Sequence, residues 1–125
     1  MKYTGVNDFG VEVNPLMVAG QVHGGVAQGI GQALMECVSY DSSGQPITGS
    51  FMDYAMPRAG DIPDFVLDNH PSPATTNPLG TKGCGEAGCA GSLSTVVNAV
   101  MDALAEHGVK PVSYTHLTLP TILRV

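Results

Sequence analysis

Between Gly20 and Gly31 the chain places five glycines, Gly20, Gly24, Gly25, Gly29 and Gly31, inside a segment whose apolar spacing asks for a helix. Asn14-Pro15 supplies the start, with Asn as N-cap and Pro at the first helical position, where a missing N–H costs nothing. Val22, Val26, Ile30 and Leu34 then recur every four residues, while Gln21, Gly25, Gln28 and Gln32 fall along another face. The spacing predicts a helix to about Glu36, with Gly20 as the place where it could break. Each interior glycine costs about 1 kcal/mol relative to alanine, so propensity cannot hold this helix together. Burial must compensate, and glycines allow backbone to approach a neighbour or a ligand more closely than side chains permit.

The remaining elements are short. Tyr3-Thr4-Gly5-Val6 reads as a strand, Asp8-Phe9-Gly10 as a turn and Val11-Glu12-Val13 as a returning strand, so the chain opens on a hairpin. Val38-Ser39-Tyr40 and Gln45-Pro46-Ile47 flank the turn Asp41-Ser42-Ser43-Gly44. Residues 57–64 are loop, Phe65-Val66-Leu67-Asp68 a further strand, and Pro71 to Pro78 a proline-punctuated connector. A glycine-rich loop, residues 79–88, precedes a closing helix capped by Ser92, with Leu93, Val96, Val97, Val100 and Leu104 as its apolar stripe and an end before Gly108. This is an α+β pattern. A domain of this size needs elements that close a core among themselves, and these few do not, which points to a slice of a larger domain.

Composition excludes several function classes. With 43% hydrophobic and 13% charged residues the chain is globular rather than disordered. Five basic residues against eleven acidic ones give a net charge of −6, which removes the attraction behind most nonspecific nucleic-acid binding and makes anionic membranes poor partners. No apolar run reaches bilayer length, and the first residues lack the build of a signal peptide. Cys37, Cys84 and Cys89 are odd in number, and the Cys84/Cys89 spacing is not that of a zinc knuckle. They read as reduced thiols in a cytoplasmic protein.

One loop could carry chemistry. Glu86 stands among Gly83, Gly85 and Gly88, where glycines let backbone approach a ligand and a carboxylate can accept a proton from it. The pattern alone fits a structural turn as well as an active site. Lys82 precedes the glycines instead of ending the motif, so this is not a nucleoside-triphosphate phosphate loop, and the glycine spacing is wrong for a dinucleotide fingerprint. His23, without a second ligand three or four residues away, fits a packed or hydrogen-bonding histidine. The amides of Gln21, Gln28 and Gln32 suit either solvent or a polar cofactor. Ser50-Phe51-Met52-Asp53-Tyr54 is apolar enough for burial, with Asp53 able to cap a turn.

Taken in order, the blocks Asn14-Pro15, Gly20 to Leu34, Gly49 to Tyr54 with Pro57-Arg58, and Asn77-Pro78-Leu79-Gly80 with Lys82-Gly83-x-Gly85-Glu86-Ala87-Gly88 resemble one family. It is the molybdenum hydroxylases of the xanthine oxidase, aldehyde oxidase and carbon monoxide dehydrogenase type, specifically the C-terminal part of the molybdopterin-binding large subunit. The resemblance covers residues 2 to 110. It implies that Glu86 is the general base, taking a proton from a hydroxyl on molybdenum as that oxygen attacks an electron-poor carbon and hydride passes to a sulfido ligand. It implies that Gln21 contacts the pterin, that Lys82, Gly83, Cys84 and Gly85 lie against the cofactor, and that the metal is held by the pterin's dithiolene. The implied cofactor is molybdenum-molybdopterin in its cytosine dinucleotide form. Electrons would leave through 2Fe-2S clusters and FAD on partner domains or subunits, in an oligomeric parent oxidising a small molecule: an aldehyde, carbon monoxide or an N-heterocycle. Ala87-Gly88 after the glutamate, instead of Pro-Pro, is similar to the bacterial aldehyde and carbon monoxide dehydrogenase branch. The isolated segment is expected to be inactive. The alternative is a noncatalytic binding or scaffold domain that keeps the family fold.

Residues 112–125 change character abruptly, and Val112 to Thr121 resemble one reading frame of a transposon-end adapter from sequencing libraries. The expected division is therefore residues 1–111 as cofactor-binding domain and 112–125 as a non-native tail. Without that tail four basic residues face eleven acidic ones.

Overall fold

The computed structural model describes residues 2–107. The strand β1 (Lys2–Asn7) leads into the helix α1 (Pro15–Leu34), and after a long irregular stretch come a 3-10 turn (Ala59–Asp61) and the strand β2 (Asp64–Asn69). The helix α2 (Ala87–Leu104) follows, finishing in a further 3-10 turn (Ala105–His107). Mixed helix and strand, with a long glycine-rich helix and a closing amphipathic one, is the expected class.

α1 starts where its cap dictates. Asn14 is extended at φ −140°, its Oδ1 accepts from the Met17 N–H at 3.2 Å, and Pro15 follows. The helix runs through Gly20 without a break and ends when the N–H groups of Met35 and Glu36 both turn onto the Gly31 carbonyl. Val22, Val26 and Ile30 are buried as the spacing predicts, but Leu34 is exposed and Ala33 lies inside in its place. A four-residue repeat drifts by about 40° per step on a helix of 3.6 residues per turn, so three steps carry Leu34 off the buried face.

Three of the five α1 glycines are explained by packing. A Cβ on Gly25 would stand 2.9 Å from the Cys89 nitrogen, and one on Gly29 would run into Ser92 and lie 2.9 Å from the Leu93 nitrogen. From the other side, a Cβ on Gly88 would fall 2.8 Å from the Val26 nitrogen and closer still to the Val22 carbonyl oxygen. The two helices therefore touch backbone to backbone along Gly25, Gly29 and Gly88. Gly31 is closed off by Pro57, whereas Gly20 and Gly24 meet nothing within 4 Å among the described residues.

This contact corrects the expected role of Ser92. α2 begins five residues earlier, at Ala87, and Ser92 is a fully buried interior residue whose hydroxyl donates to the Cys89 carbonyl at 3.4 Å. The space left by Gly29 accommodates it, and the back-bond to its own helix satisfies the hydroxyl without a cap. With its terminal turn, residues 87–107, α2 is also long and apolar enough to cross a bilayer by length and composition, contrary to the sequence expectation. Its apolarity comes from Ala and Val, and one face is engaged with α1.

The opening hairpin does not form. β1 pairs in parallel with β2, Lys2 beside Asp64 through Asn7 beside Asn69, and a parallel pair needs a crossover, here the stretch containing α1. Asp8-Phe9-Gly10 does turn, but the chain beyond it is stitched to the loop before α2: Val11 N–H donates to Gly80 at 3.0 Å and Lys82 N–H to Phe9 at 2.9 Å. Gly10 and Gly80 take positive φ of 60° and 68°, and a Cβ on Gly10 would collide with the Gly80 carbonyl oxygen. The inward face of the strand pair, Tyr3, Gly5, Phe65 and Leu67, leans on α1, with Tyr3 and Phe65 edge to face at 5.7 Å. Phe9, Val22, Val26, Ile30, Ala33 and Val96 form the core.

The strands expected at residues 38–40 and 45–47 reduce to one bridge between Tyr40 and Pro46. Pro46 has no N–H to extend the ladder, and Asp41 Oδ1 accepts instead from Ser43 N–H, Ser43 hydroxyl and Gln45 N–H at 2.7–2.9 Å. Phe51 and Met52, expected to be buried, are 82% and 93% exposed. Ser50, not Asp53, bonds the backbone of this turn: its Oγ accepts from Met52 N–H at 3.3 Å and its hydroxyl donates to Asp53 at 2.7 Å. The tail at 112–125 lies outside the described residues.

Candidate functional site: the loop entering α2

The loop from Gly80 to Glu86 is held at both ends and open in the middle. At its first end Gly80 O accepts from Val11 and Ala74 N–H, both at 3.0 Å, and Lys82 reaches Asp8 with an Nζ–Oδ2 distance of 2.5 Å. Asp8 Oδ1 also takes the N–H groups of Gly10 and Ser72 at 2.9 Å each. The Lys82 ammonium first, then the Ser72 and Gly10 amides, hold the Asp8 carboxyl well below the usual range, at about 2. At its second end the Gln21 side-chain amide donates to the Gly85 carbonyl at 2.7 Å, and α2 is clamped on α1.

Between these anchors Gly83 and Gly85 meet nothing within 4 Å of a would-be Cβ among the described residues, and Cys84 is half-buried against the core. Glu86 occupies the N-cap position of α2 with φ −116° and ψ 8°. Its carboxylate is exposed and accepts no cap hydrogen bond from the first turn.

The structure thus brings Gln21 directly onto the residue before Glu86, across 64 positions of sequence. Lys82, Gly83, Cys84 and Gly85 form the continuous path between the two anchors. The Lys82 ammonium is committed to Asp8, leaving its backbone as the part that belongs to the open stretch. Gln28 and Gln32 are exposed on α1. His23 is an exposed, hydrogen-bonding histidine: Nδ1 is 2.6 Å from the Ala19 carbonyl oxygen, and the ring lies 5.4 Å from that of Phe65. All three cysteines are unpaired thiols. Among the described residues no three His, Cys, Asp or Glu side chains stand together as a metal site.

Two grooves lie elsewhere. One of about 280 Å³ runs between β2 and the first turns of α1. The other, about 540 Å³, is formed by Met35 with the segment Phe51 to Arg58 and Asp61. On its flank the Tyr54 hydroxyl donates to Glu36 at 2.5 Å, and the glutamate's acceptance of that proton raises the phenol above its ordinary pKa.

Sequence reasoning missed two participants. Asp8 was legible only as a turn residue, although an Asp two positions before a Gly is the signature of a side chain that bonds backbone. The Gly25/Gly29 pair was not told apart from the other α1 glycines, although its four-residue spacing is the pattern of close helix contact. The expectation that these glycines let backbone approach a neighbour or a ligand is therefore divided. Gly25, Gly29 and Gly88 close helix on helix, while Gly20, Gly24, Gly83 and Gly85 keep open surface.

The loop thus presents an open glycine-lined stretch with one tethered amide and one exposed carboxylate. Residues 1–63 match the molybdopterin cofactor-binding domain family, and the chain belongs to it. It is 42% identical over 107 residues to the nicotine 6-hydroxylase large subunit of Paenarthrobacter nicotinovorans, covering 86% of this chain and 13% of that one. It is 34% identical over 119 residues to the carbon monoxide dehydrogenase large chain of Hydrogenophaga pseudoflava, covering 95% and 14%. The crystal structure of quinoline 2-oxidoreductase from Pseudomonas putida 86 superposes with a TM-score of 0.85 at 40% identity, covering 97% of this chain and 15% of that one. The chain thus spans about one seventh of the length of the relatives it matches.

Proposed function

We propose that this chain is the C-terminal part of the molybdopterin-binding large subunit of a molybdenum-dependent hydroxylase or dehydrogenase, and that Glu86 is its general base. The observation that carries the reading is the Glu86 carboxylate, free of cap bonds at the end of an open glycine loop whose neighbouring carbonyl is tied to Gln21. The residues fit a flat, polar cofactor: Cβ atoms at Gly83 and Gly85 would occupy the approach, and the tethered Gln21 amide keeps its Oε1 as an acceptor. Gln21 and the backbone of residues 82–85 would hold the cofactor. When bound, the group supplies Lewis-acid and two-electron redox chemistry.

The chain's own contribution is proton transfer and positioning. Glu86 takes up the proton released as the substrate is oxidised, and a base within hydrogen-bond reach contributes about 10²- to 10⁴-fold. Gln21 fixes the carbonyl beside it, so that the base leaves the loop in one direction. The substrate is an aldehyde, carbon monoxide or an N-heterocycle, in keeping with relatives named for nicotine, carbon monoxide and quinoline. The cytosine dinucleotide form of the cofactor, 2Fe-2S and FAD carriers on partner chains, an oligomeric parent in the cytoplasm and inactivity of the isolated segment complete the proposal.

The test is Glu86→Gln in the large subunit. Turnover should fall by about 10² or more while molybdenum and pterin remain bound at wild-type stoichiometry. Near-normal turnover would remove Glu86 as the base.

A further inference from the structure

The Asp8 carboxylate gathers three segments that are far apart in sequence. It receives the Gly10 amide from its own turn, the Ser72 amide from the connector after β2, and the Lys82 ammonium from the loop that enters α2. Backbone bonds run in parallel with it: Lys82 N–H to Phe9, Val11 N–H to Gly80 and Ala74 N–H to Gly80. A Cβ on Gly10 would collide with the Gly80 carbonyl oxygen, and one on Gly80 would crowd Pro73 at 3.0 Å and Val11 at 3.3 Å.

The Lys82–Asp8 pair is partly exposed, with side chains 35% and 39% accessible, and a pair in that setting adds little to global stability. Its effect is local. Only Gly83, Cys84 and Gly85 separate Lys82 from Glu86, and two of those three are glycines with open surroundings. Cys84 alone gives this stretch side-chain packing, against the core, so its course depends largely on its anchors. Gln21 and the α1/α2 contact supply one anchor, and Asp8 supplies the other.

We propose that Asp8 is a positioning residue for Glu86: through Lys82 it fixes the start of the loop that aims the carboxylate, and its charge is needed for that task. The inference rests on the reading of Glu86 as the base. Asp8→Asn isolates the charge, since an amide Oδ1 can still accept from Gly10 and Ser72 while the ion pair is lost. Lys82→Arg keeps a cation opposite Asp8 and serves as the conservative control.

The experiment compares wild-type large subunit in its assembled holoenzyme with Asp8→Asn, Lys82→Arg and Glu86→Gln. Hydrogen exchange of the peptide spanning residues 80–86 should be about tenfold faster in Asp8→Asn, with α1 and the distal half of α2 unchanged, and wild-type in Glu86→Gln. In Asp8→Asn kcat should fall about 10- to 100-fold with KM within roughly twofold and molybdenum content unaltered, because a base displaced by a fraction of an ångström loses rate before binding. Lys82→Arg keeps the cation opposite Asp8, so exchange at residues 80–86 should stay at the wild-type rate. Unchanged exchange at residues 80–86 overturns the proposal, as does a loss of kcat that merely parallels loss of molybdenum or of thermal stability. If Asp8→Asn fails to assemble, Lys82→Met removes the pair from the other side and is judged by the same exchange measurement. Should Glu86→Gln prove active while Asp8→Asn loosens the loop, the base assignment falls and the loop anchor stands.

Discussion

Gly88→Ala is the substitution that probes the helix contact most directly. Its added methyl would stand 2.8 Å from the Val26 nitrogen, 3.1 Å from the Gly25 carbonyl carbon and closer still to the Val22 carbonyl oxygen. All three are backbone atoms of α1, so no rotamer change relieves them. A carbon needs about 3.5 Å from such atoms, and α2 must move away by up to an ångström near its first turn. Overpacking of this kind costs about 1–3 kcal/mol, against a gain of at most about 1 kcal/mol from replacing glycine in a helix. The net expectation is a destabilisation of about 1–2 kcal/mol. Gly20→Ala is the matched control: its methyl meets nothing within 4 Å among the described residues, and the same propensity term should leave the protein equal or slightly more stable. Thermal unfolding of the large subunit measures both, with a separation between the two variants of a few degrees expected for a domain of ordinary size. Because Glu86 and the loop before it adjoin the displaced end of α2, pterin retention should also fall in Gly88→Ala. A Gly88→Ala protein that melts at the wild-type temperature, or a Gly20→Ala protein that loses as much, would refute the reasoning that backbone contact fixes the helix pair.

Two further expectations follow from local bonds. Asn14→Ala removes the acceptor for Met17 N–H and should cost about 1 kcal/mol, read from the shift in denaturation midpoint, while Asn14→Ser should lose far less. Tyr54 titrates above its ordinary value of 10.0 because Glu36 accepts its proton, so the Tyr54–Glu36 bond contributes in full below pH 10 and is lost as pH rises through the raised value. Glu36→Gln should bring the phenol back toward 10.0 in an ultraviolet titration and shift the alkaline unfolding limb to lower pH; an unmoved titration would show that the pair does not form.

The course of α1 was legible because its determinants are local. Asn14, Pro15 and the valine spacing act within one or two turns, and the helix begins where they place it. β2 was legible for the same reason, as the short apolar run Phe65-Val66-Leu67. The hairpin was misjudged because a strand and turn specify that a chain reverses, but not which segment it then meets. Residues 11–13 were out-competed by the loop at residues 80–82, which offers Gly10 a glycine to press against. Ser92 was misread because a serine ahead of an apolar stripe looks the same whether it caps a helix or fills a gap left by a glycine on another one. Of the site, Glu86 and its flanking glycines could be picked out from type and spacing, but the Gln21–Gly85 bond and the Asp8 anchor could not, since each joins residues more than sixty positions apart.

By itself the sequence determined the start of α1, the small residues, the acidic balance and the order of blocks that marks a molybdopterin cofactor-binding domain. Only the tertiary structure decided which glycines face a helix and which face open space, which partner β1 takes, and which side chains hold the loop before Glu86. The physical reason is that a glycine, a strand edge and a carboxylate each state a capacity: close approach, unpaired donors and acceptors, and negative charge. Long-range packing chooses the group that meets each of them.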